Sequence, residues 1–130
     1  MVNDVCHTKS LAGARLMLHD VNAERLDRAY RFAAKLNAAT GAGVILDRST
    51  DSAEALDGAD FVLSSAEFGR FEHWHQDFQV PKKYGARQIN GENGGPGAVF
   101  HSLRSITNTL SICADNEKYC PDALKRRHVP

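Results

Sequence analysis

Three short apolar runs, Ala14-Arg-Leu-Met-Leu-His19, Val44-Ile-Leu46 and Phe61-Val-Leu63, are separated by stretches long enough to hold helices. This alternation limits the fold more than any other feature of the chain. Between the first two runs, Leu26, Ala29, Ala33, Leu36 and Ala39 fall on one helical face. Asn22 is placed to cap that helix, and Gly41 and Gly43 mark its end. After the second run, Asp51 can cap a short helix from Ser52 to Leu56 that stops at Gly58. Parallel strands need crossover connections of about a dozen residues or more, and these gaps supply them. The pattern predicts an α/β fold, a partial Rossmann-like parallel sheet with flanking helices.

Beyond Ser64 the pattern weakens. Glu67 to Phe78 reads as helical, whereas Pro81, Gly85 and the Lys82-Lys83 pair read as a surface connection. Regularity returns after the glycine-dense Gly91-Glu-Asn-Gly-Gly-Pro-Gly97, where Val99, Leu103, Ile106, Leu110 and Cys113 follow a helical stripe to about Tyr119. Pro121 ends that helix. A glycine-dense turn opening a long helix leaves backbone N–H groups free for an anion or a nucleotide edge.

At 130 residues the chain is long enough for one globular domain and one core, not for two full domains. Sixteen basic residues balance sixteen acidic ones, so no broad positive field exists to hold nucleic acid. The single basic cluster, Lys125-Arg-Arg-His128, sits at a terminus and reads as a solvated tail. No run approaches the roughly 18 apolar residues of a membrane span, and the first residues lack the basic and apolar regions of a signal peptide. A cytoplasmic location is the resulting expectation. The three cysteines, Cys6, Cys113 and Cys120, lack C-x-x-C spacing and read as reduced thiols.

Few residues offer chemistry on their own. Asp20 follows the first strand, where a dinucleotide fold places a carboxylate on the adenosine ribose; a turn-capping role is the alternative. His73 and His75 are two apart on a helix and face away from each other, with no paired acidic ligand, so no metal site is assigned. Trp74, between them, could stack on a sugar ring or anchor the helix by partial burial. No nucleophile or catalytic base is identified.

Four segments together carry a family resemblance. Leu18-His-Asp-Val-Asn-Ala-Glu-Arg-Leu26, Asp60-Phe-Val-Leu-Ser-Ser65, Val80-Pro-Lys-Lys-Tyr-Gly85 and Glu92-Asn-Gly-Gly-Pro-Gly97 resemble motifs of the family 4 glycoside hydrolases, which use NAD and usually manganese. Cys120-Pro-Asp-Ala123 is similar to a fifth, in which the cysteine packs and is not a nucleophile. The match runs from about Ser10 to Ala123. It implies a partial NAD-binding domain over residues 1–123 and a divergent or truncated tail over 124–130, since Leu124-Lys-Arg-Arg-His-Val-Pro130 departs from an apolar strand.

The resemblance implies roles residue by residue. Asp20 and Arg25 would lie at the adenosine, Ser64 and Ser65 at the cofactor, Glu92 and Asn93 near the nicotinamide and the sugar, and Arg104 would support the turn from its helix. Each has a plainer alternative: Arg25 and Arg104 as exposed helix charges, the serines as strand terminators, Glu92 as a solvated turn residue. Where phospho-sugar members carry an arginine, Trp74 stands here, which implies a substrate without phosphate.

The family's reaction is the oxidation of the sugar at C3 by NAD, loss of the C2 proton with metal stabilisation of the enediolate, and elimination of the aglycone. Hydration and reduction then complete hydrolysis of an α-glycoside. In the family, the first strand, the pyrophosphate-binding glycines, the metal ligands and the base lie outside the segments matched. The expectation is therefore a fragment with little activity alone and no tight NAD binding. Rival expectations are a non-catalytic remnant, a piece of a split enzyme, and a half-site nucleotide-binding module that uses the Gly94 to Gly97 turn; a homo-oligomer and a complementing chain both stay open as partners.

Overall fold

The structure, a computed structural model, describes residues 1–67, 69–90 and 93–127. The chain divides into two compact units, Met1–Ala59 and Asp60–Pro130.

The first unit begins with α1 (Val2–His7) and a 3₁₀ turn (Lys9–Leu11), and continues through β1 (Arg15–His19), α2 (Ala23–Thr40), β2 (Ile45–Ser49) and α3 (Ser52–Leu56). β1 and β2 pair in parallel, Arg15 opposite Ile45 and His19 opposite Ser49. α2 is the crossover between them, as parallel pairing requires. Both expected caps form. Asn22 accepts from the Arg25 N–H at 2.9 Å, and Asp51 accepts from the N–H groups of Ala53 and Glu54. Gly41 closes α2 with φ +64°, a left-handed conformation that suits a residue without Cβ.

The inward face of α2 differs from the expected stripe. Leu26 and Ala33 are buried, Leu36 is half-buried, and Ala29 and Ala39 are exposed. The face that packs runs Leu26, Tyr30, Ala33 and Asn37, one helical stripe rotated toward a polar residue. Asn37 belongs there because its amide serves Val44 twice: Nδ2 donates to the carbonyl at 2.7 Å and Oδ1 accepts from the N–H at 3.1 Å. Across the strands, Arg15 donates to Asp47 at 2.8 Å. That contact, helped by the Arg48 N–H, holds the Asp47 carboxyl below its usual range.

The second unit contains β3 (Phe61–Ser64), α4 (Arg70–Lys83), α5 (Gly95–Tyr119) and β4 (Leu124–Arg127). β3 and β4 pair in parallel, Phe61 opposite Leu124 and Ser64 opposite Arg127. Residues 124–127, read from sequence as a departure from an apolar strand, thus run as a strand. Ladder pairing uses main-chain groups, so a charged sequence does not prevent it. α4 also exceeds its expected end: it passes through Pro81 to Lys83, where the sequence suggested a surface connection. The fold is α/β, with short parallel strand pairs and flanking helices, and among the described residues each unit holds its own two-stranded sheet.

Candidate functional site

In the first unit, the candidate groups gather at the carboxyl ends of β1 and β2. The level register of the two strands lets His19 Nδ1 donate to the Ser49 carbonyl at 2.9 Å, which ties the strand ends together and places the proton on Nδ1. Asp20, next along the chain, is half-buried and accepts from the Asn22 N–H through Oδ1 at 2.8 Å. This is the local turn that the plainer alternative foresaw, and it fixes the carboxylate beside the start of α2. Arg25 is exposed on the first turn of α2.

An open cavity of about 270 Å³ lies beside them, lined by Ala23, Leu26, Asp27, Arg48, Ser49 and Thr50. Its polar wall is braced. Arg48 donates to Asp27 at 2.5 Å and lies 4.4 Å over the Tyr30 ring, and Ser49 Oγ donates to Glu54 Oε2 at 2.5 Å. Sequence reading assigned none of these residues a role. For Arg48, Ser49 and Thr50, the position at the end of the second strand, where α/β folds place ligands, was the available signal.

In the second unit, Ser64 is half-buried and Ser65 exposed at the carboxyl end of β3. Trp74 lies on α4 with a relative exposure of 36%. The glycine turn leads into α5, with φ +79° at Gly94 and +68° at Gly95, conformations that a side chain at those positions would strain. Pro96 occupies the first turn of α5, where its missing N–H costs nothing. Asn93 is exposed ahead of the turn. Glu92, assigned to the nicotinamide and sugar by the sequence, lies outside the described residues.

Arg104 reaches α4, where its Nη2 donates to Asp77 Oδ2. Asp77 is 6% exposed, so its carboxylate is removed from water and matched by one guanidinium. The arginine therefore joins the two helices on which the turn is mounted. Sequence reading missed Asp77 because its partner lies 27 residues away. Among the described residues, no three His, Cys, Asp or Glu side chains converge as metal ligands. No helix among them is long and apolar enough to cross a membrane.

The chain was compared with known proteins. A sequence model described as Family 4 glycosyl hydrolase matches residues 1–125. An α-glucosidase from Erwinia rhapontici is 43% identical over 123 residues, which are 94% of this chain and 27% of that protein. An α-galactosidase from Bacillus subtilis strain 168 is 31% identical, over 95% of this chain and 29% of its own length. A maltose-6′-phosphate glucosidase from the same strain is 32% identical, over 90% and 26%. Among solved structures, a 6-phospho-α-glucosidase from gut microorganisms in complex with NAD and Mn²⁺ superposes with a TM-score of 0.79 at 24% identity, covering 89% of this chain and 26% of that one. It shares the fold. The chain spans between a quarter and a third of the length of these relatives.

Proposed function

Because the chain belongs to family 4 of the glycosyl hydrolases, we propose that it forms part of the NAD-holding layer of a glycosidase acting on α-glycosides that carry no phosphate. The observation that carries this reading is the family match over residues 1–125.

When bound, NAD supplies the acceptor and donor of a hydride in the family's redox hydrolysis. The chain's own residues bind and orient. Asp20, with Oδ1 engaged by Asn22, would accept from the ribose hydroxyls through its carboxylate. By the family resemblance, Arg25 would border the adenosine, and Ser64 and Ser65 would serve the cofactor from the end of β3. By the same resemblance, Glu92 and Asn93 would serve the nicotinamide and the sugar. Arg104 holds the turn's helix against α4, and Trp74 offers an apolar face to the sugar ring. The described residues do not fit manganese, and none is assigned to it.

A substrate without phosphate is favoured by Trp74, which supplies no cation for a phosphate where phospho-sugar members carry an arginine. The 43% identity to an α-glucosidase agrees with it. Because no base or metal set is found among the described residues and the relatives are several times longer, hydrolysis is assigned to the chain together with further protein, in cis or from a complementing chain.

Mixing the chain with a polypeptide that carries the rest of the Erwinia rhapontici α-glucosidase, plus NAD and Mn²⁺, tests both parts. Nitrophenol should be released from an aryl α-glucoside at least about tenfold faster than from its 6-phosphate. A preference for the phosphate would refute the substrate assignment. Equal release by the chain alone would refute the need for further protein.

A further inference from the structure

Asp77 is used at both of its ends. Its carboxylate takes Arg104 of α5, while its main-chain carbonyl faces a residue that cannot bond it, because Pro81 four positions on has no N–H. Gln88 fills the gap: its Nε2 donates to that carbonyl at 2.7 Å. The carbonyl also meets the first turn of α5. A Cβ on Gly97 would strike the Asp77 oxygen and lie 2.8 Å from Gln88 Nε2, so the two helices approach this closely because residue 97 has no side chain.

The other end of the glutamine faces the turn. Gln88 Oε1 is buried with no hydrogen-bond partner among the described residues, and a Cβ on Gly95 would lie 2.5 Å from it. Reversing the amide would set two acceptors against each other at Asp77, so the carbonyl dictates which end Gln88 presents to Gly95.

We propose that Gln88 and Asp77 are positioning residues for the Gly94–Gly97 turn. The carbonyl that Pro81 releases orients Gln88, and Gln88 and Gly97 together fix how closely α5 approaches α4 and how the turn offers its amides. That the turn serves a nucleotide rests on the function proposed above; the positioning itself does not.

The test uses the ¹⁵N-labelled chain of 130 residues and its Gln88→Glu and Gln88→Ala variants. Glutamate keeps the shape of the side chain and, when ionised at neutral pH, loses the donor. Both variants should shift the Gly94, Gly95 and Gly97 cross-peaks and speed exchange of the Gly95 and Gly97 amides by about tenfold. The β3 amides and those of the later turns of α5, which report whether the second unit is folded, should stay unchanged. If Gln88→Glu retains the wild-type peaks and exchange rates, shape alone matters and the proposal is overturned. Nicotinamide mononucleotide added to the wild type separates the two ideas: turn amides that ignore it remove the nucleotide reading, while the Gln88 result stands or falls on its own.

Discussion

Asp77 and Arg104 join α4 to α5 in the second unit. The aspartate side chain is 5% exposed and the arginine 34%, so their energies are unequal on removal. Arg104→Ala strands a carboxylate away from water and should cost about 3 kcal/mol in urea unfolding of the chain. Asp77→Asn removes the charge with the cation still able to reach solvent, and should cost less than half of that. Equal losses would mean that the carboxylate is better hydrated than its burial indicates. The sequence revealed residues whose partners are near: Asn22 and Asp51 were readable as caps because they bond N–H groups two or three positions ahead. Asp77 was unreadable, since nothing local says which helix its carboxylate will meet. Asp20 was readable as a position at a strand end, and its turn hydrogen bond with Asn22 is equally local.

At the level of elements, proline and charge misled the reading for one physical reason: each was weighed by its usual effect without the group that compensates it. Pro81 ordinarily ends a helix by leaving a carbonyl unpaired. Here α4 continues because Gln88, seven residues beyond the proline, supplies the missing donor. In a Pro81→Ala background, the new N–H can serve the Asp77 carbonyl, so Gln88→Ala should cost about 1 kcal/mol less there than in the wild type. A double-mutant cycle by chemical denaturation measures that coupling; a coupling of zero would detach Gln88 from the helix break. The strand at Leu124–Arg127 is the second instance, its parallel pairing with β3 lying in main-chain bonds that side-chain pattern does not report. By contrast, β1, α2, β2 and α3 all lie close to their predicted places, because apolar runs, caps and glycines spoke together over that stretch.

The whole molecule shows what length alone could not. Among the described residues, the buried apolar set is Cys6, Leu26, Ala33, Val44 and Cys120, with no large side chain fully buried. The helical stripe anticipated for α5 exists, yet Val99, Leu103, Ile106 and Leu110 are all more than half exposed. Periodicity gave the stripe and could not give its cover, which depends on whatever else is packed against it. The family, in turn, was legible from motifs at strand ends and turns, where backbone geometry constrains residue choice. The cavity bounded by Arg48, Ser49 and Thr50 was not, being assembled from two elements that no motif joins.

On the proposed function, the carboxyl end of β1 takes the adenosine ribose of NAD at Asp20. Titrating NAD into the ¹⁵N-labelled chain while following the amides of Asp20, Val21 and Asn22 puts this to the test. These amides should move progressively and in fast exchange, and Asp20→Asn should abolish the response. Amides that stay still at excess NAD, or an Asp20→Asn variant that responds like the wild type, would contradict the claim.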